Sequence, residues 1–321
     1  MRKTINTVEL EGRIYEHSLE KKLTGERSKN PGTEYISGEI KIATKDSDNI
    51  IPVRYSYVTE KTAKGKKNGN WDTLSKIIEN GKTIFNDGLD DATLITIFSS
   101  IGVNDFYGED AETKELALRS PKIIDGGLVK IVSKLPERTE KTADKANKFT
   151  VDMLINKITE VEANEEKGYP AYAKIAGYIF NYRGDIFPVE FVAKKEKAVD
   201  YFVGMAEELP VFTKVWGVLD FTNRVSTMVI QNAFGEDEVE ERAFSQKTWE
   251  ITGANIENYE LGDETIGVTE EEMKKKSQDR EVMLAEKKAA REEYLAQNSN
   301  NAIETSTKTE TKTVKNQKFN F

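Results

Sequence analysis

An internal duplication constrains the fold of this 321-residue chain more than any other feature of its sequence. Thr7-Val8-Glu9-Leu10 matches Thr150-Val151-Asp152-Met153. The two matching segments end at Gly25 and Gly168, so both ends are offset by 143 residues (150 − 7 and 168 − 25). A second match surrounds Pro52 and Pro188, at an offset of 136 residues (188 − 52). Repetition on this scale predicts two domains of the same fold.

Within each copy, the pattern of apolar residues and turn formers predicts three strands, a helix and a fourth strand, followed by one strand in the first copy and by a hairpin in the second. In the first copy the strands are 6–19, 33–45, 50–58, 92–101 and 128–135, and the helix is 71–79. In the second copy the strands are 149–163, 171–182, 185–193 and 211–222, followed by a hairpin of 225–234 and 242–254, and the helix is 195–206. This order is typical of a five-stranded Greek-key barrel, so the predicted fold class is mainly β. A proline inside each third strand predicts a sheet edge or a bulge there.

Changes in composition predict the boundaries of the domains. The first domain is expected over 1–136, a charged linker over 137–148 and the second domain over 149–256. Residues 257–321 are expected to form a charged helix followed by a tail. The helix is predicted over 270–296, because Thr269 and Glu272 form a capping box. The polar segment from Asn298 to Phe321 is predicted to be disordered.

Composition excludes several classes of site. The chain has no cysteine and a single histidine, His17, so disulfides, thiolate chemistry and His-rich metal sites are excluded. It contains no phosphate-binding loop and no dinucleotide-binding motif. Carboxylates such as Asp105, Glu109 and Asp110 lack the spacing of a metal motif. We therefore predict no catalytic residue, no cofactor and no metal. Neither a signal peptide nor a membrane span is expected.

Basic residues cluster despite a net charge of −9. The segment 60–71 contains four lysines, two glycines and a terminal tryptophan, a combination suited to wrapping a nucleic-acid backbone. The candidate binding residues in this segment are Lys61, Lys64, Lys66, Lys67 and Trp71. A second cluster contains Lys21, Lys22, Arg27 and Lys29. A solvated surface loop is the alternative interpretation.

Aromatic residues alternate along two predicted strands, as bases stacking on a sheet would require. In the second copy Tyr178, Phe180 and Tyr182 share one face, and Arg183 follows. In the first copy Tyr55 and Tyr57 are predicted to share a face while Arg54 points the other way. Further candidates in the second copy are Lys174, Lys214 and Trp216. The alternative is that these aromatic side chains form the barrel cores.

The opening strand carries a resemblance to a known family. Asn6-Thr7-Val8-Glu9-Leu10-Glu11-Gly12-Arg13-Ile14 resembles the first strand of bacterial and phage single-stranded DNA-binding proteins, which have the OB-fold. More loosely, the segments 211–217 and 249–254 resemble longer phage proteins with tandem domains. The resemblance implies two OB-fold-like barrels that coat single-stranded DNA (ssDNA) during replication or recombination, in the host cytoplasm and without a cofactor. The basic C-terminus, Lys315 to Phe321, departs from the family's acidic tail and puts partner recruitment by that tail in doubt.

Two other functions stay open at this stage. The net charge of −9 favours a structural or assembly protein that uses its barrels to bind other proteins. The charged C-terminal helix would suit an adaptor that recruits replication or recombination proteins. Salt-dependent affinity for ssDNA separates DNA binding from both alternatives.

Overall fold

The computed structural model describes most of the chain. It covers residues 4–309 except 27, 45–47, 111, 114, 140–141, 143–145, 164–169, 182, 231–237, 246 and 261–268, and for 223–245 and 298–309 it describes the backbone alone. The fold is mainly β, as predicted, and the chain forms two compact units: residues 1–103 with 122–273, and residues 104–121 with 274–321.

The strands and helices follow each other in a repeated order. The first half contains β1 (Asn6–His17), β2 (Glu20–Leu23), β3 (Glu34–Thr44), β4 (Asn49–Thr59), α1 (Gly69–Asn80), α2 (Ile84–Asp87), β5 (Leu94–Ser99), β6 (Ile101–Val103), β7 (Phe106–Glu109), β8 (Leu116–Arg119), β9 (Lys122–Asp125) and β10 (Leu128–Ile131). The second half contains β11 (Asn147–Val161), β12 (Tyr172–Phe180), β13 (Ile186–Ala193), α3 (Glu196–Met205), β14 (Val211–Asp220), β15 (Asn223–Ile230), β16 (Glu238–Ser245), β17 (Thr248–Ala254) and α4 (Glu270–Thr309).

The first barrel closes through five strand positions. Its ring runs β1–β3–β4–β9–β6, and β5, which leads directly into β6, returns to pair with β1. All of these pairs are antiparallel except β4 with β9. This is the Greek-key arrangement of the OB-fold. The predicted closing strand 128–135 was wrong. Gly126 and Gly127 both have positive φ, so the chain turns there, and the strand before the turn, β9, completes the ring.

The second barrel repeats this topology. Its ring runs β11–β12–β13–β17–β14 and closes between β14 and β11, with β13 and β17 as the parallel pair. Pro52 and Pro188 lie in the third strands at positions that have a ladder partner on one side only. The edge positions predicted from the two prolines are therefore confirmed.

The two barrels share one continuous sheet because β1 pairs antiparallel with β11. Thr7 pairs with Thr150, its own counterpart under the 143-residue offset of the duplication. Two equivalent residues can pair in an antiparallel ladder only at a local two-fold axis, so the two copies are related by approximate two-fold symmetry at this pair. Asn49 strengthens the junction, since its side-chain amide donates to Leu219 O at 2.8 Å and its oxygen accepts from Phe221 N at 2.7 Å.

Each barrel has an apolar interior that a helix covers at one end. Trp71, Leu74 and Ile77 of α1 and Val199, Phe202 and Met205 of α3 are the buried faces of these helices. Close strand crossings in the barrels require glycine. A Cβ atom at Gly12 would overlap the carbonyl oxygen of Ala43, and one at Gly177 would overlap that of Leu154. The glycine of the opening motif therefore permits the close approach of β1 and β3.

The second unit contains the β7–β8 hairpin and most of α4. The capping box at the start of α4 is present, since Glu272 N donates to Thr269 Oγ1 at 3.2 Å and Thr269 N donates to Glu272 Oε2 at 3.0 Å. The helix continues to Thr309, beyond the predicted end at residue 296. The rest of the predicted disordered tail, 310–321, lies outside the described residues. Within the described part of the chain, no helix is long and apolar enough to cross a membrane.

Candidate nucleic-acid interface

The segment 60–68, called here the lysine loop, forms a small ordered hairpin between β4 and α1. Lys61 and Lys67 form an antiparallel bridge, Thr62 N donates to Lys66 O at 2.7 Å, and Gly65 turns the chain with a φ of 73°. Asn68 ends the loop and accepts from Asn70 N as the N-cap of α1. The hairpin leaves every lysine side chain of the loop exposed.

The four lysines of the loop differ in their partners. Lys67 Nζ lies 2.8 Å from Asp72 Oδ2, and this hydrogen bond raises the pKa of Lys67. Lys61, Lys64 and Lys66 have no carboxylate within 4 Å among the residues that the structure describes. These three predicted residues are therefore available to contact phosphates, whereas the charge of Lys67 is partly neutralised.

A pair of tyrosines, with Tyr57 exposed and Tyr35 half-buried, lies at the end of the β3–β4 hairpin that precedes the loop. The rings of Tyr35 and Tyr57 are 4.9 Å apart between centroids, with an interplanar angle of 38°, and Tyr57 is 52% exposed. This tyrosine pair lies on the strand 2 and strand 3 surface, which OB-folds use to bind oligonucleotides. Two adjacent rings of this kind can stack on bases.

The prediction that Tyr55 and Tyr57 share a face was wrong. A β-bulge opposes Ser56 and Tyr57 to the single residue Ser37, so the side-chain alternation shifts by one position after Tyr55. Tyr55 is 1% exposed in the core, and its hydroxyl has no hydrogen-bond partner in the described part of the chain. Burial raises the pKa of Tyr55. The bulge thus buries one ring and exposes the other.

Trp71 also lies in the interior rather than at the surface. It is 8% exposed, and the ammonium of Lys21 lies 5.6 Å from its ring centroid while pairing with Glu79 at 3.4 Å. Lys22, the next residue of β2, lies opposite Tyr35 in the ladder and pairs with Glu20, whose hydrogen bond raises the pKa of Lys22. Of these residues, only Lys22 lies beside the tyrosine pair.

Arg54 points outward from β4, away from the buried Tyr55 but on the exposed side like Tyr57, so the predicted separation from both tyrosines holds only for Tyr55. It pairs across the sheet with Glu39 on one side and with Asp125 on the other. Burial raises the pKa of Asp125, and the positive charge of Arg54 partly opposes that rise. Two acidic neighbours reduce the net positive charge that Arg54 can offer to a phosphate.

In the second barrel, the outer face of β12 is partly covered. Lys174 and Tyr178 are half-buried on this face, whereas Phe180 is 1% exposed in a small outer cluster with Leu154, Ile186 and Phe212. Of the predicted residues, Phe180 is therefore a packing residue. Tyr182 lies outside the described residues. Arg183 is exposed in a turn, where its N–H donates to Asn181 Oδ1 at 2.8 Å.

Lys214 and Trp216 lie on the outer face of β14 with different surroundings. Lys214 is opposite Asp152, whose carboxylate also accepts from Ile5 N at 2.6 Å and from the hydroxyl of Tyr259 at 3.3 Å. Burial raises the pKa of Asp152, and the positive charge of Lys214 partly opposes this rise. Trp216 is half-buried and lies against Gly253, where a Cβ atom would overlap the indole ring. The absence of a side chain at Gly253 thus lets the indole lie close to the barrel wall, where it keeps part of its surface accessible.

Sequence reasoning missed Tyr35 and overvalued Tyr55 and Trp71. Tyr35 begins the predicted strand 33–45, and a hairpin of that strand with 50–58 would have placed it near Tyr57. The register of the hairpin was the signal required, and the bulge that sets the register lies beside Gly38, a glycine within the strand with a φ of 135°. Among the described residues, no group of three or more Asp, Glu or His side chains could hold a metal ion.

Comparisons with known proteins agree with a family assignment over most of the chain. A family model described as YorF matches residues 4–290. The chain is also similar to a solved deletion mutant of the single-stranded DNA-binding protein from Thermus aquaticus, with 12% identity and a TM-score of 0.44 over 82% of this chain and 100% of that chain. No curated protein matches the sequence.

Proposed function

The chain belongs to the YorF family, and we propose that it binds single-stranded DNA without sequence preference through the outer faces of its two barrels. The observation that carries the proposal is the tyrosine pair, with Tyr57 exposed, on the β3–β4 face of the first barrel, next to the lysine loop. Stacked aromatic rings beside flexible cations are the two components that sequence-tolerant ssDNA binding requires.

Local charge, rather than the net charge of −9, governs this interaction. Phosphates respond to the field within about 10 Å at an ionic strength of 0.1 M, so a cluster of cations attracts them on an acidic protein. Lys61, Lys64 and Lys66 are exposed and lack carboxylate partners within the described chain, whereas the charge of Lys22, beside Tyr35, is partly neutralised by Glu20. We propose that this group follows the backbone of the strand while the tyrosine pair contacts bases.

The proposal assigns a supporting role to the second barrel. Trp216 offers one indole face, and Lys174 and Tyr178 lie on the outer side of β12. Lys214 is less suited to phosphate binding because it is opposite Asp152. More specifically, we propose that the protein coats ssDNA during phage DNA replication or recombination. Association of the protein with replicating DNA in infected cells, and its loss in binding-deficient variants, would test that form.

The combined substitution Lys61→Glu, Lys64→Glu and Lys66→Glu should weaken ssDNA binding by at least about tenfold at low salt, because three phosphate contacts become repulsive. It should also make the slope of log affinity against log salt shallower by about 2, since each single-strand phosphate contact contributes about 0.7. Fluorescence anisotropy of a labelled oligo-dT over a range of salt concentrations measures both quantities.

A matched control makes the same charge change on other surfaces. Lys76→Glu, Lys130→Glu and Lys197→Glu alter exposed residues of α1, β10 and α3. The control variant should retain a salt slope close to that of the wild type. Equal loss of affinity in both variants would show a general charge effect and reject the lysine loop as the site. Absence of wild-type binding at low salt would reject the function and favour the structural or assembly protein, in which the barrels bind other proteins.

Tryptophan fluorescence tests the second barrel separately. The chain has three tryptophans, of which Trp71 and Trp249 are 8% and 6% exposed and Trp216 is the most accessible. A base stacked on an indole quenches its fluorescence, so saturating oligo-dT should quench the wild-type protein. The variant Trp216→Phe should lose most of this quenching, and Trp71→Phe should retain it. Unchanged quenching in Trp216→Phe would exclude the indole from the path of the strand.

A further inference from the structure

One face of α4 carries a set of cationic and aromatic residues that the barrel surfaces do not explain. Arg280, Lys287, Arg291 and Tyr294 are spaced at i, i+7, i+11 and i+14, so they lie along one side of the helix. The stripe consists of charged and polar side chains, so it is not a hydrophobic face of the helix. Two of its members fasten the helix to the β7–β8 hairpin.

The attachment is a buried polar cluster around Asp105, immediately before β7. The Asp105 carboxylate accepts from the guanidinium of Arg280 at 2.7 Å and from the hydroxyl of Ser120 at 2.7 Å, and its side chain is 3% exposed. The backbone carbonyl of Asp105 accepts from Lys287 Nζ at 3.1 Å. The carboxylate is thus fully engaged by Arg280 and Ser120, and its charge is neutralised within the second unit.

Beyond this cluster, residues of the hairpin and the helix line an open pocket of about 510 Å³. This volume lies in the range of about 300–1,000 Å³ typical of small-molecule sites. Its walls combine the rings of Phe106, Tyr107 and Tyr294 with the cations Lys287 and Arg291. Tyr294 is 55% exposed, so its ring has free surface for a ligand.

The positive charges of the two cations of the pocket are not neutralised by a carboxylate of the described chain, so they can contact an anionic ligand. The guanidinium of Arg291 lies 5.4 Å from the ring centroid of Tyr294, and its buried Nε has no hydrogen-bond partner among the residues that the structure describes. Lys287 donates to a neutral carbonyl. Neither side chain has a carboxylate within 4 Å among the described residues. A buried donor without an acceptor carries an energetic cost that an anionic ligand would remove.

We propose that this pocket binds one nucleotide of the single strand, with the base against Tyr107 or Tyr294 and the phosphate on Lys287 and Arg291. An arginine and a lysine provide for a phosphate, and exposed aromatic rings provide for a base. The inference rests on the proposed function, since it extends the path of the strand from the barrel faces to the second unit. Chemically, a free nucleotide would satisfy the same groups.

The test combines affinity with the position of a photocrosslink in the full-length protein. Lys287→Gln with Arg291→Gln should weaken oligo-dT binding about tenfold and reduce the salt slope by about 0.7, as expected when the contacts to one single-strand phosphate are lost. Oligo-dT carrying a single 5-iodo-deoxyuridine should crosslink, on irradiation, to the peptide containing Tyr294 or Tyr107. Arg280 is left unchanged, so its ion pair with Asp105 still attaches the helix although the contact of Lys287 with the Asp105 carbonyl is lost.

The matched control is Lys275→Gln with Lys288→Gln, which removes two exposed positive charges from the same helix. If the control weakens binding as much as the pocket variant, or if no crosslink falls on β7 or α4, the subsite is rejected while wild-type binding still supports the proposed function. If 5-iodo-dUMP crosslinks at the pocket and the oligonucleotide does not, the ligand is a free nucleotide and the proposed path is wrong. If the wild type does not bind oligo-dT, the proposed function fails first, and the subsite fails with it.

Discussion

Replacing Tyr35 and Tyr57 together with alanine should reduce the affinity for oligo-dT by at least about thirtyfold. Stacking of a base on an aromatic side chain contributes about 1–3 kcal/mol, so the loss of two platforms costs about 2 kcal/mol or more. Tyr57 is exposed and Tyr35 half-buried, the two rings contact each other at 4.9 Å between centroids, and neither residue belongs to the buried core of the described chain. Their removal should therefore leave the fold intact, which circular dichroism and the unfolding midpoint check.

The salt dependence of the same titration distinguishes stacking from charge. The alanine variant should keep the wild-type salt slope, because no phosphate contact is lost, whereas the lysine-loop variant should flatten it. The control Tyr35→Phe with Tyr57→Phe retains both rings and should bind almost as tightly as the wild type. Wild-type affinity in the alanine variant would show that the bases do not stack on this face.

The duplication made most of the architecture predictable. Repeated matches at Thr7 and Thr150 and around Pro52 and Pro188 gave two copies of a barrel with a helix after the third strand, and the structure has that order. The closing strand of the first barrel was misplaced because β9 is only four residues long. β9 contains fewer apolar residues than the segment after Gly126, so the sequence pattern favours the later segment as a strand. The pairing of β9 with β4 joins residues far apart in the chain, and a local sequence pattern does not indicate such a contact.

The surface of the site was less predictable because sequence periodicity assumes regular strands. Alternation places Tyr55 and Tyr57 on one face, and a bulge of one residue is enough to separate them. Aromatic residues satisfy both the core and a stacking platform, so Trp71 and Phe180 could be assigned to the interior only from their packing. The lysines of the loop were easier to identify, since exposure follows from charge alone.

The attachment of α4 escaped prediction for a related reason. Its contacts to the hairpin are an ion pair and hydrogen bonds at Asp105, and the apolar residues of the helix are too few to suggest packing. A stripe at i, i+7 and i+11 is visible in the sequence, but a surface helix rich in lysine and arginine produces such stripes frequently. Only the position of an acidic partner distinguishes an anchoring face from a solvated one.

Lys122 lies in an environment that should make the stability of the protein rise at alkaline pH. Its ammonium donates to the backbone carbonyl of Glu190 and lies 5.1 Å and 5.4 Å from the ring centroids of Phe191 and Trp249. This lysine of β9 thus reaches from the first barrel to the core of the second. Burial lowers the pKa of Lys122 from its ordinary value of 10.5 to about 8, against the opposing effect of the Glu190 carboxylate.

The variant Lys122→Met keeps the length of the side chain and removes its titration. Below pH 8 the lysine is protonated in both the folded and the unfolded protein, so the cost of burying its charge is fully present. Between about pH 8 and 10.5 the unfolded chain binds more protons than the folded one, and this cost is relieved as the pH rises. At about 1.4 kcal/mol per pH unit, the relief amounts to at most about 3 kcal/mol.

Urea unfolding of the wild type and of Lys122→Met from pH 7 to 10.5 measures the difference between their free energies of unfolding. Tyrosines and the other lysines titrate equally in the two proteins, so their contributions cancel in this difference. The wild type should gain up to about 3 kcal/mol relative to Lys122→Met across this range. Lys130→Met, at an exposed position of β10, is the control and should follow the wild type. A constant difference between wild type and Lys122→Met at all pH values would show that the Lys122 ammonium is as well solvated in the folded protein as in the unfolded chain. The contact that joins β9 to Phe191 and Trp249 would then be open to water.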